Sequence, residues 1–95
     1  MNKKTVMLFK ALGCRWRLKI LERLSEGTLC VCEFDDLFPI DKTTLSRHVK
    51  ALVDAKLIVE KRKGTRKELS IADSRVLEII KLAHSITDES SEETE

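Results

Sequence analysis

Three features of this 95-residue sequence predict a mainly α-helical domain with one small β-hairpin. Apolar residues recur at helical spacing through most of the chain. A helix faced with Thr, Ser, Arg and Lys follows a short helix and a Pro-containing turn. A basic segment with alternating apolar residues then doubles back about a glycine. Such an order of elements reads as a winged helix-turn-helix, in one domain over residues 1–87, because a chain this short holds a single core.

The elements follow in order. Val6, Met7, Phe9 and Leu12 place a first helix over 4–12, stopping near Gly13. Trp16, Ile20, Leu21 and Leu24 share one face of a second helix over 15–26, with Gly27 placed as its C-terminal cap. Over 30–38, Val31, Phe34, Leu37 and Phe38 fall on one side of a short helix before Pro39 breaks the pattern. Asp41 then caps a helix over 42–55.

That fourth segment is the most informative. At 100° per residue Leu45, Val49, Leu52 and Val53 make one apolar arc, while Thr43, Arg47, Lys50 and Asp54 point the opposite way with Thr44 and Ser46 at the edges. A short helix, a tight turn and a second helix with a hydroxyl and guanidinium face is a DNA-reading arrangement. Lys42, Thr43, Thr44, Ser46, Arg47, His48 and Lys50 are the candidate contacts. Leu57, Val59, Leu69 and Ile71 alternate on either side of Lys63-Gly64-Thr65, which makes a hairpin. Its basic cluster, including Arg62, Lys63, Arg66 and Lys67, is expected along the phosphates, supplying affinity while the helix supplies sequence choice. A last helix over 73–86 opens on Asp73. Its stripe of Val76, Ile79, Ile80, Ala83 and Thr87 is widened by Leu77, Leu82 and Ile86, more apolar surface than one terminal helix needs. A homodimer on an inverted-repeat double-stranded operator is the expected assembly.

The charge distribution agrees. Five of sixteen acidic residues stand in the last eight positions, so residues 1–87 carry 18 basic against 11 acidic side chains. A basic body suits a polyanion, and residues 88–95 read as an acidic disordered tail. The apolar runs are too short for a transmembrane span, and residues 1–4 lead into an amphipathic pattern with no signal-like stretch. Three cysteines cannot all pair in one chain, so a cytoplasmic setting is expected.

With these residues assigned, the sequence resembles the ArsR/SmtB family of metal-sensing repressors. Phe9-Lys10-Ala11-Leu12-Gly13, Arg17-Leu18-Lys19-Ile20-Leu21, Leu29-Cys30-Val31-Cys32-Glu33-Phe34, the 43–52 helix and the wing around Gly64 match in order. The most specific segment is Leu-Cys-Val-Cys, similar to the motif that opens the third helix in arsenic- and cadmium-responsive members. The resemblance implies an apo dimer that represses and an effector, arsenic(III) or another thiophilic ion, that releases it from DNA. There are departures. Asp35 stands where the arsenic-type motif has its third cysteine, and Cys14-Arg15-Trp16-Arg17 replaces the family's Asp-Pro-Thr-Arg. Of the family's zinc ligands on the last helix, Asp73 matches, but Arg75 and Ile86 occupy histidine positions and His84 has a different spacing, as for a surface or dimer-face residue.

Sulfur at Cys30 and Cys32 suits soft ions. In a regular helix, residues two apart diverge by about 200°, so one ion can reach both only if Cys30 stands before the first turn or the helix unwinds. Cys30 projects with Phe34 and Leu37, as a buried core thiol would, whereas Cys32 points away. Cys14 is either a third ligand, given across a dimer, or a lone structural thiol, since the second helix sets it roughly 15 Å from Cys30. The expected function is a repressor relieved by metal at Cys30 and Cys32. The alternative is a thiol redox or persulfide sensor on the same scaffold. A thiol enzyme is disfavoured, because no His/Asp arrangement accompanies the pair.

Overall fold

Helix α1 (Lys3–Leu12) begins where the Asn2 side chain accepts the Thr5 amide at 2.8 Å and ends where the Gly13 amide turns back to the Phe9 and Lys10 carbonyls. The computed structural model describes residues 2–88, so the acidic tail expected over 88–95 lies outside the described residues except for Asp88. Helix α2 (Arg15–Leu24) buries Ile20, Leu21 and Leu24. Its last turn is closed by the Gly27 amide on the Leu24 carbonyl. Gly27 adopts φ +135°, which an L side chain resists.

The next segment differs from expectation. Leu29–Cys30 is a two-residue strand, β1, and only Val31–Phe34 is helical (α3). The reason is non-local: Leu29 and Cys30 pair antiparallel with Leu69 and Glu68. Phe34 is fully buried and Phe38 nearly so, their rings 5.6 Å apart, with Trp16 of α2 5.9 Å from Phe38. Leu37, placed on that apolar side by helical projection, is 43% exposed instead, because the helix has already ended at Phe34.

Helix α4 (Lys42–Asp54) buries Leu45, Val49 and Leu52 as its periodicity requires. It ends in a Schellman motif. The Lys56 amide bonds the Val53 carbonyl and the Leu57 amide the Leu52 carbonyl, with Lys56 at φ 65°. The turn delivers Leu57 and Ile58 together into the core, so Ile58 is buried while Val59, expected inward, is 38% exposed. Strands β2 (Ile58–Lys63) and β3 (Arg66–Ile71) form the hairpin, in register from Ile58 opposite Ile71 to Lys63 opposite Arg66, around Gly64 at φ 62°. The sheet order is β1-β3-β2, which puts β3 in the middle and its Leu69 in the core.

Helix α5 (Arg75–Thr87) starts one residue later than Asp73 would place it, with Ser74 at the N-cap. Asp73 still serves the helix start: its Oδ1 accepts the Arg75 amide at 2.9 Å, and its carboxylate holds the Arg75 guanidinium at 2.7 Å. Within α5 only Val76 is buried, while Leu82 and Ile86 are 65% and 71% exposed. Val6, Met7 and Phe9 of α1 are exposed as well.

Candidate nucleic-acid interface and thiol site

Helix α4 presents Lys42, Thr43, Ser46, Arg47 and Lys50 to solvent. This exposed face opposes the buried Leu45, Val49 and Leu52, so burial of one face orients the other. Lys42 pairs with Asp35 at 3.7 Å and Lys50 with Asp54 at 3.4 Å. Arg47 makes no ion pair among the described residues, leaving its guanidinium available. Thr44 is half-buried and gives its hydroxyl to the Asp41 carboxylate, which that bond holds below the usual carboxylate range.

His48 is not brought to this face. It is half-buried against α2, where Arg17 Nε donates to His48 Nδ1 at 3.2 Å. Burial lowers the His48 pKa and the Arg17 charge lowers it further, so the ring is a neutral acceptor. Arg17 also reaches toward the Lys10 and Ala11 carbonyls, tying the end of α1 to α2 and α4. Sequence reasoning missed this lock because it joins residues 31 positions apart in separate helices.

The hairpin carries Arg62, Lys63, Arg66 and Lys67 exposed. Lys63 pairs with Glu68 at 3.7 Å and Lys67 with Glu60 at 3.4 Å, both across the strands. Exposed pairs of this kind stabilise by about 0–1 kcal/mol, so they orient the lysines without holding them from a polyanion.

Cys30 stands before the first turn of α3, at its N-cap, with extended backbone. That placement sets its Sγ 2.7 Å from Cys32 Sγ, although two residues of a regular helix would diverge. Cys30 Sγ also accepts the Cys32 amide at 3.4 Å, and the Cys30 amide donates to Glu33 Oε2 at 2.8 Å. A reciprocal capping box results, with sulfur in the usual hydroxyl position. Cys-x-x-Glu was its signal in the sequence. Cys30 is 4% exposed and Cys32 open to solvent. The Cys32 thiol donates to Cys30 and lowers the Cys30 pKa, assisted by the Cys32 amide and the Arg66 guanidinium. Donation raises the Cys32 pKa, as does burial. Of the two, Cys30 is thus the one whose thiolate its surroundings favour. Arg66, which the sequence assigns to phosphate, also lies 3.8 Å from Glu33.

Two sulfurs this close are within reach of one ion, since metal–sulfur bonds run to about 2.3 Å. Cys14 is not with them. It caps α2, half-buried, with Sγ 3.9 Å from His48 Nδ1, and no group of three metal-binding side chains occurs among the described residues. Asp73, just before α5, is held by Arg75, and His84 on α5 is exposed.

A basic, hydroxyl-rich second helix beside a basic hairpin is a winged helix-turn-helix, the architecture of DNA-binding transcriptional regulators. A model described as "Bacterial regulatory protein, arsR family" matches residues 16–59, and the chain belongs to that family. It is 40% identical over 80 residues to an uncharacterized HTH-type transcriptional regulator of Methanocaldococcus jannaschii, covering 83% of this chain and 90% of that one. It is 39% identical over 69 residues to the arsenical resistance operon repressor of Bacillus subtilis, covering 72% of this chain and 66% of the repressor. In structure it is similar to a homodimeric winged helix-turn-helix DNA-binding domain of Mycobacterium bovis, a possible ArsR-family regulator. The TM-score is 0.82 at 29% identity, over 97% of this chain and 85% of that one. Fold and relatives are those of regulators rather than of enzymes.

Proposed function

We propose that this chain is a homodimeric repressor that holds an inverted-repeat operator through α4 and the β2–β3 wing and leaves it when a thiophilic metal or metalloid binds Cys30 and Cys32. The observation that supports this most is the 2.7 Å approach of the two sulfurs at the start of the helix-turn-helix. The Bacillus subtilis relative is an arsenical resistance operon repressor, which favours arsenic(III) or antimony(III) as effector. The exposed Phe9, Leu82 and Ile86 supply apolar surface for a second copy, and the similar Mycobacterium bovis domain is homodimeric. Reduced thiols and a DNA partner suit the cytoplasm.

The test is operator release by the reduced protein, read by fluorescence anisotropy. Arsenite, antimonite or cadmium releases the duplex, whereas magnesium and manganese, which favour oxygen ligands, do not. Cys32→Ser abolishes release with operator affinity retained, because that side chain is exposed. Cys30→Ser abolishes release and also costs stability, because Cys30 is buried. A Cys30/Cys32 double variant that still leaves DNA on arsenite addition overturns the proposal. Within the chain Cys14 is held at His48. Loss of the arsenite response in Cys14→Ser, with cadmium binding kept, would assign it to a three-thiolate site donated across the dimer.

The close approach of the two thiols favours one second reading, a redox sensor in which an oxidant takes two electrons and two protons from the pair and a Cys30–Cys32 bond forms. Release by peroxide or polysulfide, with no metal response in the reduced protein, selects it.

A further inference from the structure

Apolar packing holds α4 against the core but does not by itself fix how the helix is rolled about its own axis. Its buried stripe is Leu45, Val49 and Leu52, three aliphatic side chains whose attraction to the core is non-directional. The polar contacts along its exposed side add little. Thr44 bonds Asp41 at the helix's own N-cap, Lys50 pairs with Asp54 one turn on, and Lys42 meets Asp35 in an exposed ion pair at 3.7 Å. Exposed pairs of this kind hold a geometry weakly.

His48 is placed differently. It stands at the edge of the buried stripe, between the exposed Arg47 and the buried Val49. Its Nδ1 accepts from Arg17 Nε of α2 at 3.2 Å, with Cys14 Sγ 3.9 Å from the same nitrogen. Arg17 is itself anchored, for its Nη1 donates to the Lys10 and Ala11 carbonyls, each at 3.4 Å, in the last turn of α1. A guanidinium is planar and rigid, so holding Nη1 also sets the direction in which Nε points. One half-buried side chain thus refers the roll of α4 to both α1 and α2, through a bond that weakens steeply when bent.

Roll matters to a helix that reads bases. A side-chain tip about 6 Å from the helix axis moves about 1 Å for each 10° of roll. Hydrogen bonds to base edges hold over donor–acceptor distances of about 2.7–3.2 Å, so a roll of about 10° is enough to break one. Phosphate contacts suffer less, because a flexible lysine can follow its partner.

We propose that Arg17, acting through His48, is a positioning residue for sequence reading: it sets the roll of α4 and so the direction in which Arg47 leaves the helix. The inference rests on α4 as the reading helix. It concerns the choice between sequences, not binding to DNA as such and not release by an ion.

The test uses the full chain and two duplexes, one recovered with the wild-type protein from a random library and one with the same bases scrambled. The ratio of the two Kd values, scrambled over recovered, is the specificity. His48→Leu fills the half-buried space without an acceptor, whereas His48→Asn places Oδ1 as many bonds from the Cα as Nδ1 was. Specificity falls at least about tenfold in His48→Leu, the scale of one lost base contact, and stays within about threefold of wild type in His48→Asn. Arg17→Met falls as far as His48→Leu, and the double variant falls no further, because the two side chains act as one unit. Affinity for the scrambled duplex and its salt slope stay at wild-type values, since the phosphate contacts remain. Circular dichroism melts confirm that each variant is folded at the assay temperature. A residue that served stability alone would lower Tm and leave the specificity of the folded protein unchanged. Wild-type specificity in folded His48→Leu or folded Arg17→Met overturns the inference while leaving reading by α4 standing. So does a His48→Asn specificity as low as that of His48→Leu. A wild-type ratio of one overturns sequence reading itself, and the inference with it.

Discussion

Replacing Lys56 by glycine is expected to stabilise the domain. Lys56 has φ 65°, the left-handed region, and is the sole non-glycine residue with positive φ among those described. Its position after α4 is one that glycine usually fills, because a Cβ there meets the neighbouring carbonyl. The left-handed conformation costs an L residue about 1–2 kcal/mol. Glycine's greater freedom in the unfolded chain offsets about 0.4–1 kcal/mol of the relief. The net gain is about 0.5–1 kcal/mol, which for a domain of this size raises Tm by roughly 2–8 °C. Circular dichroism melts at one fixed protein concentration measure it, since a dimer's Tm depends on concentration. Lys56→Ala is the control, because it removes the same charge and keeps the strain. The Schellman turn sets the path from α4 into β2, so DNA affinity should persist if that path is preserved. A Lys56→Gly melt no higher than that of Lys56→Ala would refute the strain argument.

Arg47→Ala should relax sequence preference by about 1–3 kcal/mol at the base pair it reads, measured by competition between cognate and substituted duplexes. Lys63→Ala should instead weaken binding to all sequences and flatten the salt dependence, which salt titrations of Kd would show. Asp73 has its pKa lowered to about 2 by the Arg75 guanidinium and amide. A carboxylate depressed on folding contributes stability above its unfolded value of 3.8 and loses it as pH falls toward about 2. The stability difference between wild type and Asp73→Asn should therefore be constant above about pH 5 and vanish through that acid window, as urea titrations at stepped pH would show. Leu82→Glu with Ile86→Glu should give a folded monomer by sedimentation equilibrium with lowered operator affinity, because both side chains are exposed in the isolated chain.

What could be read from the sequence alone is what depends on neighbours along the chain. The α4 face was legible because a 3.6-residue period sorts Leu45, Val49 and Leu52 from Thr43, Arg47 and Lys50 whatever packs against them. The hairpin was legible because Gly64 sits between two basic, alternating segments. The Cys-x-Cys spacing was visible, and so was the condition for its use, that Cys30 precede the first turn. Whether the condition holds was decided by a strand nearly forty residues away. Pairing of Leu29 and Cys30 with β3 draws Cys30 out of the helix and turns its sulfur onto Cys32. Tertiary contacts likewise turned His48 inward onto Arg17, drew Ile58 rather than Val59 into the core, and set Glu33 between the thiol pair and the wing. Periodicity assigns a side chain to a face of its own element. Only the packing of elements distant in sequence decides which face meets the core, which meets solvent and which meets a partner side chain.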